Sequence, residues 1–308
     1  CHVEWDPQIA STLKKRLKTK WKLKGRKLDD NVVTFDIKKT NELIYGNWSH
    51  KTIEEFGKYN SQNIIKNGLN GTINKKVDLI IGGPPCQAYS IAGRAQDKDS
   101  MKNDYRNYLF ESFVKIVDHF NPSIFLFENV PGMLSAKPGN KPVIQRIYEA
   151  FNNIGYSITK PEELNKTVFN SSDFGVAQNR KRVIIIGLND KKHNKKKLNE
   201  IYNELKGIKK QIPKTVKDVI SNYPKIYPIP KKDLNLSRIS HKLNSSKYLL
   251  SDHNPRFHNQ RDIKIFKDWV IKNMNKLSSK EKIRFYNERT GRTSNHNKYR
   301  NLEWDKPS

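Results

Sequence analysis

Residues 82–93 read Gly-Gly-Pro-Pro-Cys-Gln-Ala-Tyr-Ser-Ile-Ala-Gly, directly after the short apolar run Val77-Asp78-Leu79-Ile80-Ile81. Cys86 is one of two cysteines in 308 residues, the other being Cys1. An arbitrary cysteine is more often a small buried hydrophobe than a reactive group. Here two glycines allow close backbone approach and two prolines freeze the turn, so the thiol is placed as a nucleophile would be. A carboxyl group, Glu128, follows the apolar run Ser123-Ile124-Phe125-Leu126-Phe127. Arg180 and Arg182 precede Val183-Ile184-Ile185-Ile186-Gly187, and their i, i+2 spacing puts both guanidiniums on one side of an extended chain. Glu4, Trp5 and Asp36 add two carboxyls and an aromatic ring after two earlier short runs. Each has an ordinary reading when taken singly: Glu128 caps a helix, the arginines form a solvated edge, Trp5 is core. Together they supply a nucleophile, a proton-carrying group and fixed positive charge.

These groups need elements to hold them. Cys1-His2-Val3-Glu4 reads as the end of a strand, with a helix from about 8 to 20 behind Asp6 as N-cap and Pro7 in the first turn. Asn31–Phe35 is a second short strand ending at Asp36, and residues 41–76 are a polar connection with one helix near 51–59. Val77–Ile81 is a third strand, and Asp104–Phe120 shows apolar residues at helical spacing. Ser123–Phe127 is apolar enough for a strand buried on both faces of a parallel sheet. Lys141–Ile154 reads as a helix ended by Gly155, and Val183–Gly187 as another buried strand. Strands alternating with helices predict an open α/β sheet, whose ligands lie outside the carboxyl ends of the strands. Glu4, Asp36, Cys86 and Glu128 are all expected just beyond such ends.

The composition bounds the partners. A formal charge of +28, from 59 Lys+Arg against 31 Asp+Glu, points to a polyanion, although a chain rich in Lys, Asn and Ile also carries such a bias without function. Two cysteines build no disulfide framework, which fits a reducing cytoplasm, and no spacing suggests a metal site. No apolar run of about 18 residues is present, so no membrane partner is expected. Beyond Asp190 the pattern becomes lysine-rich and then proline-rich and irregular. The organisation expected is a catalytic domain over 1–190, a basic linker over 191–212 and a smaller basic lobe over 213–308.

In their order and spacing, Pro84-Pro85-Cys86-Gln87, Phe127-Glu128-Asn129-Val130-Pro131-Gly132 and Gln178-Asn179-Arg180-Lys181-Arg182 resemble the signatures of the DNA (cytosine-5)-methyltransferases. The resemblance spans roughly residues 1–188, and 256–262 and 299–308 look like the surroundings of that family's target-recognition lobe. It implies a Rossmann-like S-adenosylmethionine-dependent methyltransferase sheet with helices on both faces, plus a smaller basic target-recognition lobe. It further implies that Cys86 attacks C6 of a cytosine swung out of double-stranded DNA, so that C5 accepts a methyl group. Glu128 would meet N3 and the exocyclic amino group, and Arg182 with Arg180 would hold the base carbonyl or a nearby phosphate. For S-adenosylmethionine, Glu4 would accept from the ribose hydroxyls, Trp5 would stack on adenine, Asp36 would accept from its amino group, and Pro84 or Pro85 would line the cleft. The family's usual setting implies a monomeric cytoplasmic modification enzyme with a cognate restriction endonuclease as partner.

Two departures stand against the resemblance. The family's Phe-x-Gly-x-Gly loop upstream of the Glu4 strand, and its late Arg-Glu-x-x-Arg-Leu-Gln-like and Gly-Asn-x-Val segments, are not found in these residues. The chain is therefore expected to be an internal fragment or a split partner that alone binds S-adenosylmethionine poorly and turns over little DNA. A non-catalytic DNA-binding remnant remains open as an alternative. A transfer-RNA cytosine-5 methyltransferase would carry a Cys-Phe-Thr string, which this sequence lacks, and a cysteine hydrolase leaves the Glu-Asn-Val and Gln-x-Arg-x-Arg strings unexplained.

Overall fold

The computed structural model describes residues 1–21, 28–84, 109–193, 196–209, 212–228, 241–243, 257–291, 293 and 302–308. They form two compact units, Cys1–Phe169 with Lys181–Ile208, and Asn170–Arg180 with Lys209–Ser308.

The first unit opens with β1 (His2–Glu4) and α1 (Pro7–Thr19). Asp6 caps α1, its Oδ1 accepting from the N–H groups of Gln8 at 2.7 Å and Ile9 at 3.2 Å, while Pro7 occupies a position whose amide needs no partner. α2 (Leu28–Asn31) leads into β2 (Val32–Thr34), which runs parallel to β1 with Glu4 opposite Thr34. Alternation along β2 sends Val32 into a cluster with Ala10, Leu13 and Leu17 of α1. Val33 enters a different cluster, with Leu43 and Ile44 of α3 (Thr40–Tyr45), Phe56 of α4 (His50–Phe56) and Ile64 of α5 (Gln62–Asn67).

A second sheet in the same unit contains β3 (Leu79–Gly82), β4 (Ile124–Asn129), β5 (Tyr156–Ser157), β6 (Val168–Asn170) and β7 (Lys181–Asn189). Its order is β3-β4-β7-β5, with β6 also on β7. α6 (Leu109–Phe120) and α7 (Val143–Asn153) pack on it through one aromatic cluster, in which Phe125 stacks on Phe151 at 4.1 Å and meets Phe113 edge-on at 6.0 Å. Gly187 stands opposite Phe125, whose ring fills the space a Cβ would need; that atom would lie 2.0 Å from the ring. α8 (Lys196–Gly207) carries the buried Tyr202, whose hydroxyl accepts from the Ile186 N–H at 2.9 Å and donates to the Ile184 carbonyl at 3.0 Å. Tyr202 thereby satisfies a stretch of the β7 edge beyond the two residues that β5 pairs. Burial raises the phenol's pKa, so the hydroxyl stays a donor.

The fold is α/β, as expected, with two differences. The sheet is mixed: β3 and β4 are parallel, but β7 runs antiparallel to β4 and β5. β4 also alternates, with Phe125 and Phe127 buried and Ile124 and Leu126 only partly so, rather than burying both faces equally. Apolar content alone does not encode strand direction or which face is covered. Among the described residues β1 pairs with β2 alone and β3 with β4 alone. Ile80 packs inward, whereas its neighbours Leu79 and Ile81 are 51% and 66% exposed.

In the second unit, α9 (Val216–Ile220) starts with a capping box between Thr215 and Asp218. β8 (Ile226–Pro228) pairs antiparallel with β9 (His241–Leu243). α10 (Gln260–Ile271) and α11 (Ser279–Thr290) close on a small core of Ile265, Trp269, Met274 and Phe285. Asn259 caps α10, and a Ser278–Glu281 capping box starts α11.

Candidate active site

The acid and one arginine meet across adjacent strands. Glu128 is the penultimate residue of β4, and Arg182 is the second residue of β7. Antiparallel pairing places Glu128 opposite Ile184, and Arg182 Nε lies 2.6 Å from Glu128 Oε1. The two side chains are 40% and 20% exposed, so the pair opens to solvent on the Glu128 side. Arg182 also donates from Nη1 to the Lys181 carbonyl at 2.7 Å, which orients the guanidinium. Both residues were expected outside the strands; the structure extends β4 to Asn129 and begins β7 at Lys181, so both stand within the ladder. That raises positional precision, because ladder hydrogen bonds fix the backbone beneath each group. Behind Glu128, the Asn129 side chain is buried and its Oδ1 accepts from the Val130 N–H at 2.7 Å, turning the chain toward Pro131.

The glycine pair lets the end of β3 pass close to both α6 and Glu128. Gly82 pairs with Phe127 at the end of β3, and a Cβ there would lie 2.3 Å from the Phe113 ring of α6. A Cβ on Gly83 would lie 2.9 Å from Glu128 Oε2. Only glycine lets the backbone pass between the helix and the carboxylate. The sequence carries this signal, since Gly-Gly before Pro-Pro marks close approach, but it does not reveal the neighbours. Pro84 follows, half-buried, while Pro85 and Cys86 lie outside the described residues.

The groups assigned to the cofactor gather at a different pair of strand ends. Glu4 is the last residue of β1 rather than one beyond it, and its carbonyl accepts from the Phe35 N–H at 3.0 Å. Asp36 follows β2 by two residues, so both carboxyl groups sit at the same end of a parallel pair. Glu4 Oε1 accepts from the Asp6 N–H at 2.9 Å; Asp36 Oδ1 accepts from the Lys38 N–H at 3.0 Å, with Lys38 Nζ 3.7 Å from Oδ2. Trp5 is 66% exposed in the bend after β1 and is not core. Two carboxylates at one end of the β1–β2 pair, with an exposed aromatic ring adjacent to Glu4 in sequence, are group types that suit a nucleoside, which offers a base face, hydroxyl donors and an amino group.

Arg180 is not brought to Glu128 by any contact among the described residues; it is exposed, in the second unit, and its carbonyl accepts from the Ser171 N–H at 3.1 Å. Asn170, Ser171 and Ser172 hydrogen-bond the Gln178–Arg180 loop and were not singled out from sequence. Their clustering as short polar side chains that bond nearby backbone was the available signal. No group of three or more metal-ligating side chains exists among the described residues, and no described helix is long and apolar enough to cross a membrane.

A family model for the C-5 cytosine-specific DNA methylases matches residues 31–306, and the chain belongs to that family. It is 46% identical over 177 residues to the type II methyltransferase M.Bpa9945I of Bacillus paralicheniformis, covering 56% of this chain and 38% of that protein. It is 42% identical over 113 residues to the type II methyltransferase M.DdeI of Desulfomicrobium norvegicum, covering 36% of this chain and 25% of that one. The chain thus spans well under half the length of these curated relatives. The crystal structure of the Schizosaccharomyces pombe Dnmt2 methyltransferase aligns with 76% of this chain and 65% of its own at 17% identity, with a TM-score of 0.38.

Proposed function

We propose that the protein transfers a methyl group to carbon 5 of a cytosine in double-stranded DNA, as the modification enzyme of a restriction-modification system. The observation that carries this reading is the Glu128–Arg182 pair at 2.6 Å, with Gly83 threaded past the same carboxylate so that Cys86 follows three residues later. C5 of cytosine is a poor nucleophile. Attack of the Cys86 thiolate on C6 makes it enamine-like, and loss of the C5 proton later expels the thiolate. Glu128 shares a proton with N3 and the exocyclic amine, and Arg182 holds that carboxylate in place while favouring the anionic thiolate. Arg180 serves the base carbonyl or a phosphate beside it. The reacting carbon is unreachable in a stacked duplex, so the base is flipped. S-adenosylmethionine would supply the methyl group; Glu4, Asp36 and Trp5 would hold its adenosine part, and Pro84 or Pro85 would line the same cleft.

Residues 1–190 are the catalytic domain in this reading and 213–308 the target-recognition region, where Arg and Lys suit guanine and Asn and Gln suit adenine. The intervening 191–212 carries α8. The cellular setting is cytoplasmic, with a cognate endonuclease as functional partner. The decisive experiment uses full-length protein and a duplex containing 5-fluorocytosine. A covalent adduct that survives denaturation and vanishes in Cys86→Ser supports the reading. Methylation persisting in Cys86→Ser would sink it.

A further inference from the structure

We infer that residues Trp304–Ser308 form a strap that positions the arginine loop Gln178–Arg180, with Asn179 as its clasp. The inference deepens the reading above and rests on it. Within the second unit, the Asn179 N–H donates to the Ser308 carbonyl at 2.6 Å, and the Ser308 N–H donates to the Ala177 carbonyl at 3.0 Å. That reciprocal pattern is the one a parallel bridge makes around Gln178 and Ser308. The Asn179 carboxamide reaches both ways: Nδ2 donates to the Pro307 carbonyl at 3.4 Å, while Oδ1 accepts from Ser172 Oγ at 3.0 Å and Asn170 Nδ2 at 3.2 Å.

The strap's other end is anchored independently. The first two N–H groups of α9, on Val216 and Lys217, are donors that no helical turn satisfies, and they bond the carbonyls of Lys306 and Trp304 at 2.9 Å each. The loop itself is tied on its inner side: the Gln178 carbonyl accepts from Ser171 Oγ at 2.6 Å, and the Arg180 carbonyl accepts from the Ser171 N–H at 3.1 Å. Gln178, Asn179 and Arg180 are all exposed, and exposed loop backbone usually bonds water. A short exposed segment held by so many protein partners is preorganised, which matters where the next side chain must present a fixed charge. Arg180 is that side chain, and Arg182 enters β7 two residues later. The strap therefore couples the start of α9 to the loop that carries Arg180.

Three variants of the full-length protein test this. Asn179→Ala removes both arms of the clasp, Asn179→Asp keeps the acceptor for Asn170 and Ser172 but loses the donor to Pro307, and Ser308→Pro removes the strap's donor to Ala177. Misplacement of a reacting group by about 1 Å costs on the order of a hundredfold, so kcat should fall about tenfold to a hundredfold in Asn179→Ala and Ser308→Pro, with Asn179→Asp between them and wild type. Kd for duplex DNA and Tm should stay near wild type. Amide hydrogen exchange over 177–180 should accelerate in the same order, and this readout holds whether or not methyl transfer is the reaction. Unchanged exchange and kcat would overturn the strap, as would rate losses that merely track loss of DNA affinity or Tm. A wild-type protein that exchanges slowly over 177–180 but transfers no methyl group would count against the proposed reaction while leaving the strap standing.

Discussion

Glu128 and Arg182 should behave as one catalytic unit whose value lies in geometry more than in stability. Two unit charges about 4 Å apart attract by about 4 kcal/mol at an effective dielectric near 20. Glu128 is 40% exposed, and pairs this open to water are worth about 0.2–1 kcal/mol when measured. The folding coupling between Glu128→Gln and Arg182→Ala should therefore be about 1 kcal/mol at most, read from a double-mutant cycle in urea. In the proposed transition state the same groups would hold a proton and a developing charge in a site closed by substrate, where losing one donor costs about a hundredfold to a thousandfold in kcat. Single-turnover methylation should show each single variant losing that much and the double variant losing little more. Losses that multiply, so that the double variant falls by the product of the singles, would refute the idea that Arg182 acts through Glu128.

Gly83→Ala places a Cβ 2.9 Å from Glu128 Oε2, so kcat should drop while urea stability changes by only about 1 kcal/mol or less. Tyr202→Phe strips partners from the Ile186 N–H and the Ile184 carbonyl, and should cost about 1–3 kcal/mol in chemical denaturation. Trp5→Ala should weaken S-adenosylmethionine binding in calorimetry with Tm unchanged, because the ring is 66% exposed and holds no core. Asp218 and Glu281 lie below their ordinary pKa values, Asp218 through the Thr215 N–H and hydroxyl and Glu281 through the Ser278 hydroxyl and N–H. Their stabilisation is complete above the ordinary carboxylate range and fades as pH falls through the depressed values, so fraying of α9 and α11, followed by NMR, should begin only in acid.

The family was more legible than the architecture. Gly-Gly-Pro-Pro-Cys, Glu-Asn-Val and Gln-x-Arg-x-Arg are local strings that mark the family; of their groups the structure brings Glu128 and Arg182 into contact, while Pro85 and Cys86 lie outside the described residues. Helices with caps were readable too: Asp6-Pro7 starts α1 at the expected place. Strand ends were not, because β4 gains Glu128 and Asn129 from pairing with β7, a long-range contact that polar residues do not advertise. The reversed direction of β7 is equally silent in its run of isoleucines. Tyr202 gave no sign of finishing a sheet edge from within a lysine-rich stretch, since that role depends on where α8 docks. Asn179 was visible only as the unassigned letter between two informative ones.

Among the described residues β1 and β3 each pair on one flank only, which carries a practical consequence for handling the protein. A strand flank left unpaired is a template for another chain, and the exposed Leu79 and Ile81 add an oily patch on β3. Mutual repulsion from a charge of +28 should oppose such association, and that force shortens to a range of about 10 Å at 0.1 M salt. Residues 1–308 purified alone should stay dispersed in dilute buffer and cloud as sodium chloride is raised, the reverse of ordinary salting-in. Turbidity that fell with added salt would show that those strand flanks are covered in solution.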